Sequence, residues 1–350
     1  MIPIPTIKHH TCLLFLLWFS STAIAQYSIT GKIIDAETQE PIYGASVYFD
    51  GTTIGTISNQ QGNFKLTYEQ NTKALLVVTS MGYEAQQFQI STKETNLKTI
   101  LLKPSIESLD EVFLETDPWS REKKLRYFRE WFLGSDYREK KCKILNEEVI
   151  QLRFSPTTQK LTASISESLI IENKYLGYNI NYQLKDFDLS FSKSKMLKDK
   201  NDHPVYLPQM FYYSGTSFFQ ELKGKTKKRF KKRRVETYLG SVTHFMRCLA
   251  NKELRENDYR IFHKRFETPP YKFFEVEQIN KAAKITLNTP KISILYNNKQ
   301  QSFIQIINDQ TSTTFYVDEL GNFYPATGFS FGGDMGKQRV ANLLPLDYKP

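Results

Sequence analysis

Ser241 stands three residues ahead of His244, so on a helix the two side chains fall on neighbouring faces. A hydroxyl beside an imidazole is the raw material of a nucleophile and its base. Here G-x-S-x-G is absent and no strand runs into the serine, so a nucleophile elbow is not encoded. His244 reads instead as a partly buried side chain bonded to backbone or to Glu172. Asp186 and Asp188 point the same way on one strand, the spacing of an acid–base pair, of Ca²⁺ ligands, or of a solvated face. Glu172, Asn173, Tyr175 and Tyr178 form the densest polar and aromatic cluster. A sugar-stacking face and strand residues packed on a core both give that pattern.

The strongest charge feature is KGKTKKRFKKRR, residues 223–234, with nine basic side chains and no acidic one. The chain has 47 Lys+Arg and 37 Asp+Glu; setting aside Lys8 and these nine leaves 37 against 37. The basic pI therefore comes from one segment. Lys227, Lys228, Arg229, Lys231, Lys232, Arg233 and Arg234 are its candidate binding residues. Gly224-Lys225-Thr226 resembles the end of a phosphate loop, but Phe219 stands where the first glycine belongs, which rules that out. Val235, Tyr238, Leu239, Val242, Phe245, Met246 and Leu249 continue as one apolar helical stripe, predicting a long amphipathic helix. Its N-terminal end is the wrong one for cations, because the helix dipole repels them. A solvated run or contact with an anionic partner both remain open.

The elements around these residues set the context. Cys12–Phe19 is an apolar run too short to span a bilayer, flanked by Lys8 and by an Ala23-Ile24-Ala25 cleavage pattern. Residues 1–25 read as a signal peptide and the rest as exported, in the periplasm or associated with the outer membrane. No later apolar stretch predicts a transmembrane segment. An exported protein meets little nucleic acid, so anionic lipid, lipopolysaccharide or polysaccharide is the more available partner of a basic patch. Cys142 and Cys248 are too few for a disulfide scaffold, and they read as a pair or as two small buried side chains.

Composition changes near residue 104. Residues 26–103 carry about seven short β-rich runs with turn residues between them, the spacing of an all-β sandwich. Residues 104–119 are acidic and read as a linker. Residues 120–350 read as α+β with antiparallel strands. There, Arg121–Leu133 has one apolar face and stops at Gly134. Strand-like runs follow at 148–154, 160–165, 168–172, 178–191 and through 259–326, with a short helix over 335–344.

Gly31, Asp35, Pro41, Gly44 and Ala45, then Gly62, Phe64, Gly82 and Tyr83, occur in an order that resembles the carboxypeptidase regulatory-like domain. The resemblance covers about residues 28–103 and implies a transthyretin-like sandwich of the kind common in exported Bacteroidota proteins. Asn59 stands where that family often has Asp, and it can cap the following turn equally well. Ser108-Leu109-Asp110-Glu111-Val112 is similar to the segment after this domain in TonB-dependent outer-membrane transporters. Residues 169–178 and 238–247 are similar to the region that follows it in exported Bacteroidota proteins, which implies context and no mechanism.

The family name does not bring the peptidase with it. A zinc carboxypeptidase needs His-x-x-Glu among its ligands. The third residues after His203, His244 and His263 are Tyr206, Arg247 and Phe266, so that activity is excluded. A transporter barrel of 22 strands at ~10 residues each leaves no room for a plug in the 231 residues after Trp119. The expectation is a non-catalytic, exported envelope protein without cofactor or metal. Its sandwich serves as docking module or spacer, and its α+β part binds an envelope glycan, lipid or protein. The alternatives are a hydrolase in the second part, or an accessory factor of a TonB-dependent transporter.

Overall fold

The computed structural model describes residues 26–69, 74–90, 96–105, 115–198, 204–222, 227–280, 282–307 and 310–350. The expected signal segment 1–25, the Ser108–Val112 stretch, Lys223 and Lys225 lie outside the described residues.

The expected β-sandwich is present. One sheet holds β1 (Gln26–Asp35) between β4 (Asn63–Glu69) and β7 (Asn96–Leu102). The other runs β3 (Gly55–Ile57), β2 (Ser46–Phe49), β5 (Leu76–Thr79), β6 (Gln86–Phe88). Ile29, Ile33, Val47, Phe49, Leu66 and Leu76 close the space between them. The resemblance residues frame this core. Asp35 accepts from the backbone of Glu37 and Thr38, and the Tyr83 hydroxyl donates to its other oxygen at 2.7 Å. Pro41 bridges Ile34, and Ala45 donates to Ser58 Oγ. Phe64 packs against Gly31, while Gly44, Gly62 and Gly82 occupy turns. Asn59 Oδ1 accepts from Gln61 and Asn63, capping its turn as expected.

The remainder is mostly strand with few helices. Ser120 Oγ caps α1 (Arg121–Phe128), which widens into a π turn over Arg129–Leu133 and ends at Gly134. Phe128, Phe132 and Leu133 are fully buried on a six-stranded sheet. That sheet contains β8 (Cys142–Ile144), β9 (Ile150–Ser155), β10 (Lys160–Ile165) and β11 (Leu169–Asn173). It also holds the long hairpin β12 (Tyr178–Lys198) and β13 (Pro204–Glu221). β13 has no counterpart in the sequence reading. Its prolines, Pro204 and Pro208, sit on an edge strand, where a missing N–H is tolerated.

The predicted long helix is two helices. α2 (Lys228–Tyr238) ends at Leu239, and α3 (Val242–Asn251) begins after Ser241. Gly240 sits between them at φ 77°, where a Cβ would strike the Gln300 amide and the Tyr296 ring. Ser241 Oγ accepts from the His244 N–H and caps α3. Tyr238, Phe245, Met246 and Leu249 of the stripe are buried while Leu239 at the break is 38% exposed; the sequence periodicity runs on through the break, which is why it stayed hidden.

The chain then forms β14 (Tyr259–His263), β15 (Phe266–Thr268), β16 (Phe274–Ile279) and β17 (Ala282–Leu287). β18 (Lys291–Tyr296), β19 (Gln300–Ile306), β20 (Thr313–Asp318), β21 (Phe323–Tyr324) and β22 (Phe329–Gly332) follow. They make two antiparallel sheets, β15-β14-β18-β19-β22 and β16-β17-β20-β21. The expected helix over 335–344 is a five-residue α4 (Gly333–Lys337) and a separate 3₁₀ turn at Val340–Asn342. Residues 120–350 thus hold two large apolar clusters, one around Phe128, Phe154 and Leu189, the other around Phe245, Ile285 and Phe315. Cys142 lies in the first and Cys248 in the second; both are free and buried, and burial pushes each thiol up to about 12. No helix of the described residues is long and apolar enough to cross a membrane.

The turn 50–53 of the sandwich is seated between β13 and residues 345–348. Gly51 N–H donates to Ser217 O, Ser217 N–H to Asp50 Oδ1, and Phe219 N–H to Thr52 O, at 2.7, 2.7 and 3.0 Å. Leu346 N–H reaches Gly51 O at 2.7 Å, and Asp347 accepts from the backbone and hydroxyl of Thr53. Tyr48 stacks on Phe218 with ring centroids 5.1 Å apart.

Burial pushes the Asp50 carboxyl up to about 6, against the two backbone N–H groups that favour its charge. A carboxyl raised on folding contributes stability that is fully present below its unfolded value near 3.8 and is lost as pH rises through about 6. The gap between those two values corresponds to roughly 3 kcal/mol at most. The urea midpoint of the wild type is therefore expected to fall between about pH 4 and 7 relative to Asp50→Asn, which cannot ionise. Parallel pH profiles of the two proteins would remove this role from Asp50.

Candidate functional site

The two features that stood apart in the sequence, the basic run and the Glu172–Tyr178 cluster, meet in the fold. β11 ends at Asn173, whose side chain is fully buried. Its Oδ1 accepts from the N–H groups of Tyr175 and Leu176, and its Nδ2 donates to Ala341 O. This forms the tight turn into β12. Gly177 closes the turn at φ 79°, and Phe230 of α2 packs on it so closely that a Cβ would lie 2.6 Å from the ring. The glycine is what lets α2 settle onto the turn.

Arg234 fixes the other end of that contact. It is only 5% exposed, which sets it apart from the accessible cations of the run, among which the sequence placed it as a candidate binding residue. Its guanidinium donates to Leu176 O at 2.8 Å, Gly177 O at 3.3 Å and Glu221 Oε1 at 2.6 Å. Its plane lies 3.8 Å above the Tyr178 ring. Asn173, Tyr178 and Arg234 are thus structural, not ligand-facing. A buried cation needs this complete set of acceptors, since an unpaired charge there is costly.

What remains accessible is a cleft of about 360 Å³ beside Tyr175. Lys140, Lys141 and Lys174 line one wall, and Lys227, Arg229 and Arg233 line the other. Tyr175 lies between them, with the Arg233 guanidinium 4.4 Å and the Lys140 ammonium 5.4 Å from its ring centre. Glu139 and Glu221 are the acidic lining residues, and Glu221 is engaged by Arg234. Lys140 is held by Asp136 and Asn342, and Lys174 by Glu172. Among the described residues, no ion pair holds Lys141, Lys227 or Arg229. No side chain caps α2, and its first turn has no acidic residue. Cations gathered at a helix N-terminus with no counter-charge make the cleft a place where an anion lowers the energy.

The other candidate residues sit elsewhere. Lys228, Lys231 and Lys232 are exposed and outside the cleft lining, Lys232 beside Glu236. Glu172 pairs with Lys174 at 3.1 Å and lies near Lys143, not His244. His244 Nδ1 faces the Gly240 N–H at 3.1 Å and the Tyr259 hydroxyl at 3.0 Å. With Ser241 Oγ spent as a helix cap, this pair is not set as nucleophile and base. Asp186 accepts from Ser214 Oγ and Asp188 lies near Lys160, both on the outer face of the β12–β13 hairpin. Among the described residues no group of three His, Cys, Asp or Glu is placed to hold a metal ion.

Sequence reasoning missed Lys140, Lys141 and Lys174. The signal was faint: a basic pair after a helix stop and one lysine after a buried asparagine. It also missed Asp50 and Arg247. The Arg247 guanidinium ties α3 to Leu320 O, Leu346 O and Tyr348 O.

A TonB-dependent receptor, SusC of Bacteroides thetaiotaomicron, is 35% identical over 96 residues; these are 27% of this chain and only 9% of that receptor. Among solved structures, a type II cohesin–X-dockerin complex from Acetivibrio cellulolyticus aligns with 31% of this chain and 76% of its own at 18% identity and a TM-score of 0.20. A 9R-lipoxygenase from Cyanothece aligns with 66% of this chain and 49% of its own at 12% identity and a TM-score of 0.18. At those scores neither superposition supports a shared fold. Residues 29–114, the part of the chain where Gly31, Asp35, Gly62 and Tyr83 frame the sandwich, match the CarboxypepD_reg-like domain family.

Proposed function

We propose that this is a non-catalytic, exported protein of the cell envelope, in which the sandwich is a docking module and the second part binds an anionic envelope ligand. The observation that carries the reading is the convergence of Lys140, Lys141, Lys174, Lys227, Arg229 and Arg233 on one cleft. These six come from three separated stretches, so the folded chain concentrates charge beyond what the run 223–234 does alone. An electrostatic site of this kind weakens with salt. The seat of the turn 50–53 makes the sandwich a fixed part of the molecule, which suits a docking module better than a loose tether.

The test is flotation with vesicles of phosphatidylglycerol and of phosphatidylcholine. Binding is expected to the first only, to be lost in high salt, and to be lost in a Lys141→Gln/Lys174→Gln/Lys227→Gln/Arg229→Gln variant. Equal flotation of that variant with the wild type would sink the reading.

A second reading is an accessory factor of a TonB-dependent transporter, favoured by the 35% identity over 96 residues to such a receptor. Cross-linking in envelopes is its test, and failure to recover any such receptor with the protein counts against it.

A further inference from the structure

The cleft has two charged walls, and this shapes what it selects. Lys141 and Lys174 stand on the side formed by the turns before β8 and after β11. Lys227 and Arg229 stand on the side formed by the start of α2. Tyr175 is placed between the walls, its ring covered by Arg233 and Lys140. An anionic surface meets the exposed charges at the rim, and a headgroup or small anion can enter a cleft of about 360 Å³. A single anionic group offsets only part of the charge gathered there and leaves the remaining cations mutually repelling.

We infer that the cleft, taken as the anion site proposed above, selects a ligand bearing two linked phosphate groups, one bound at each wall. Six accessible cations line the cleft beside Glu139, with Arg234 spent on Glu221; Asp136 offsets Lys140 and Glu172 offsets Lys174, so the site keeps an excess of about three positive charges. A phosphate brings about −1.5 to −2 charge at neutral pH, so two neutralise the site and one does not. Linking the two groups makes the second contact intramolecular, which raises affinity without any new kind of contact. Arginine at one wall adds the planar fork that matches a phosphate. The ligand is either a bisphosphorylated lipid headgroup or a free or glycan-borne diphosphate.

The experiment measures orthophosphate and pyrophosphate binding to the full mature chain by calorimetry, beside flotation on vesicles of cardiolipin and of phosphatidylglycerol matched for total charge. Pyrophosphate is expected to bind at least about ten-fold more tightly than orthophosphate. Lys141→Gln/Lys174→Gln and Lys227→Gln/Arg229→Gln should each reduce that advantage to near the orthophosphate level. Lys231→Gln/Lys232→Gln, which removes the same charge outside the cleft, should keep it. Unchanged thermal unfolding of each variant separates lost binding from lost folding. A pyrophosphate advantage with a cardiolipin preference assigns the ligand to lipid; the same advantage without it assigns a soluble or glycan-borne diphosphate. Equal affinity for the two phosphates, or an advantage that survives removal of either wall, overturns the inference. If vesicles of phosphatidylglycerol still bind in that case, the broader anion reading stands while this one falls.

Discussion

Arg234→Ala is expected to destabilise the chain by about 2–3 kcal/mol, the upper part of the range for leaving a buried hydrogen-bonding group without its partner. The side chain is 5% exposed and supplies donors to two backbone carbonyls and one carboxylate. Its removal leaves Leu176 O without the Arg234 donor and Gly177 O with the Leu222 N–H alone, and it takes the cover from the Tyr178 ring. Arg234→Lys should recover little, because one ammonium cannot reproduce a planar fork that serves Leu176, Gly177 and Glu221 at once. Urea unfolding measures this directly. A midpoint within error of the wild type for Arg234→Ala would show that α2 is held by Phe230 and Tyr238 without it. Arg229→Gln on the same helix is the contrast: it lies exposed in the cleft and should leave stability nearly unchanged while weakening anion binding.

Phe218→Ala is expected to cost about 3–5 kcal/mol, the range for a buried phenylalanine, and to act on the seat of the sandwich more than on either core. Phe218 is 8% exposed, stacks on Tyr48 and packs against Gly55, outside the three large apolar clusters. Calorimetry should show one unfolding transition for the wild type and two for the variant, as the sandwich melts apart from the rest. A single transition at the wild-type temperature would mean that the backbone bonds of residues 50–53 hold the seat without the ring. A cycle with Tyr48→Phe, which removes the 3.1 Å bond to Thr216 and keeps the stack, isolates the polar part.

The sandwich was legible because each of its signals is local. Turn residues mark where strands reverse, and alternating apolar residues mark which face is inside. Helix α1 was legible for the same reason, down to its stop at Gly134. The break at Gly240 was not, since Val235–Leu249 keeps a continuous apolar stripe while the backbone turns. Arg234 was grouped with the accessible cations of the run because nothing in its neighbours announces the carbonyls it meets, which belong to residues 176 and 177. The cleft lay beyond reach for a similar reason. Its walls are separated by up to about ninety residues of chain, and the docking of α2 on the turn at Leu176 and Gly177 brings them together. The basic run gave one wall; the other carried no signature that distinguishes it from ordinary surface lysines.

The seat of the turn 50–53 also sets an order of assembly. Its partners are Ser217 and Phe219 on β13 and then Asp347, which is 294 residues from Thr53. A chain made from its N-terminus can complete the sandwich core early, with Tyr48 and Asp50 still facing water. β13 arrives much later and takes up one side, and the stretch around Leu346 closes the other only once the chain has been made through Asp347. Contacts so distant in sequence form slowly, and until they form the face around Tyr48 is a sticky, half-finished surface. The last stretch to join acts as the latch, so a chain cut before Leu346 should carry a folded sandwich that never settles into place.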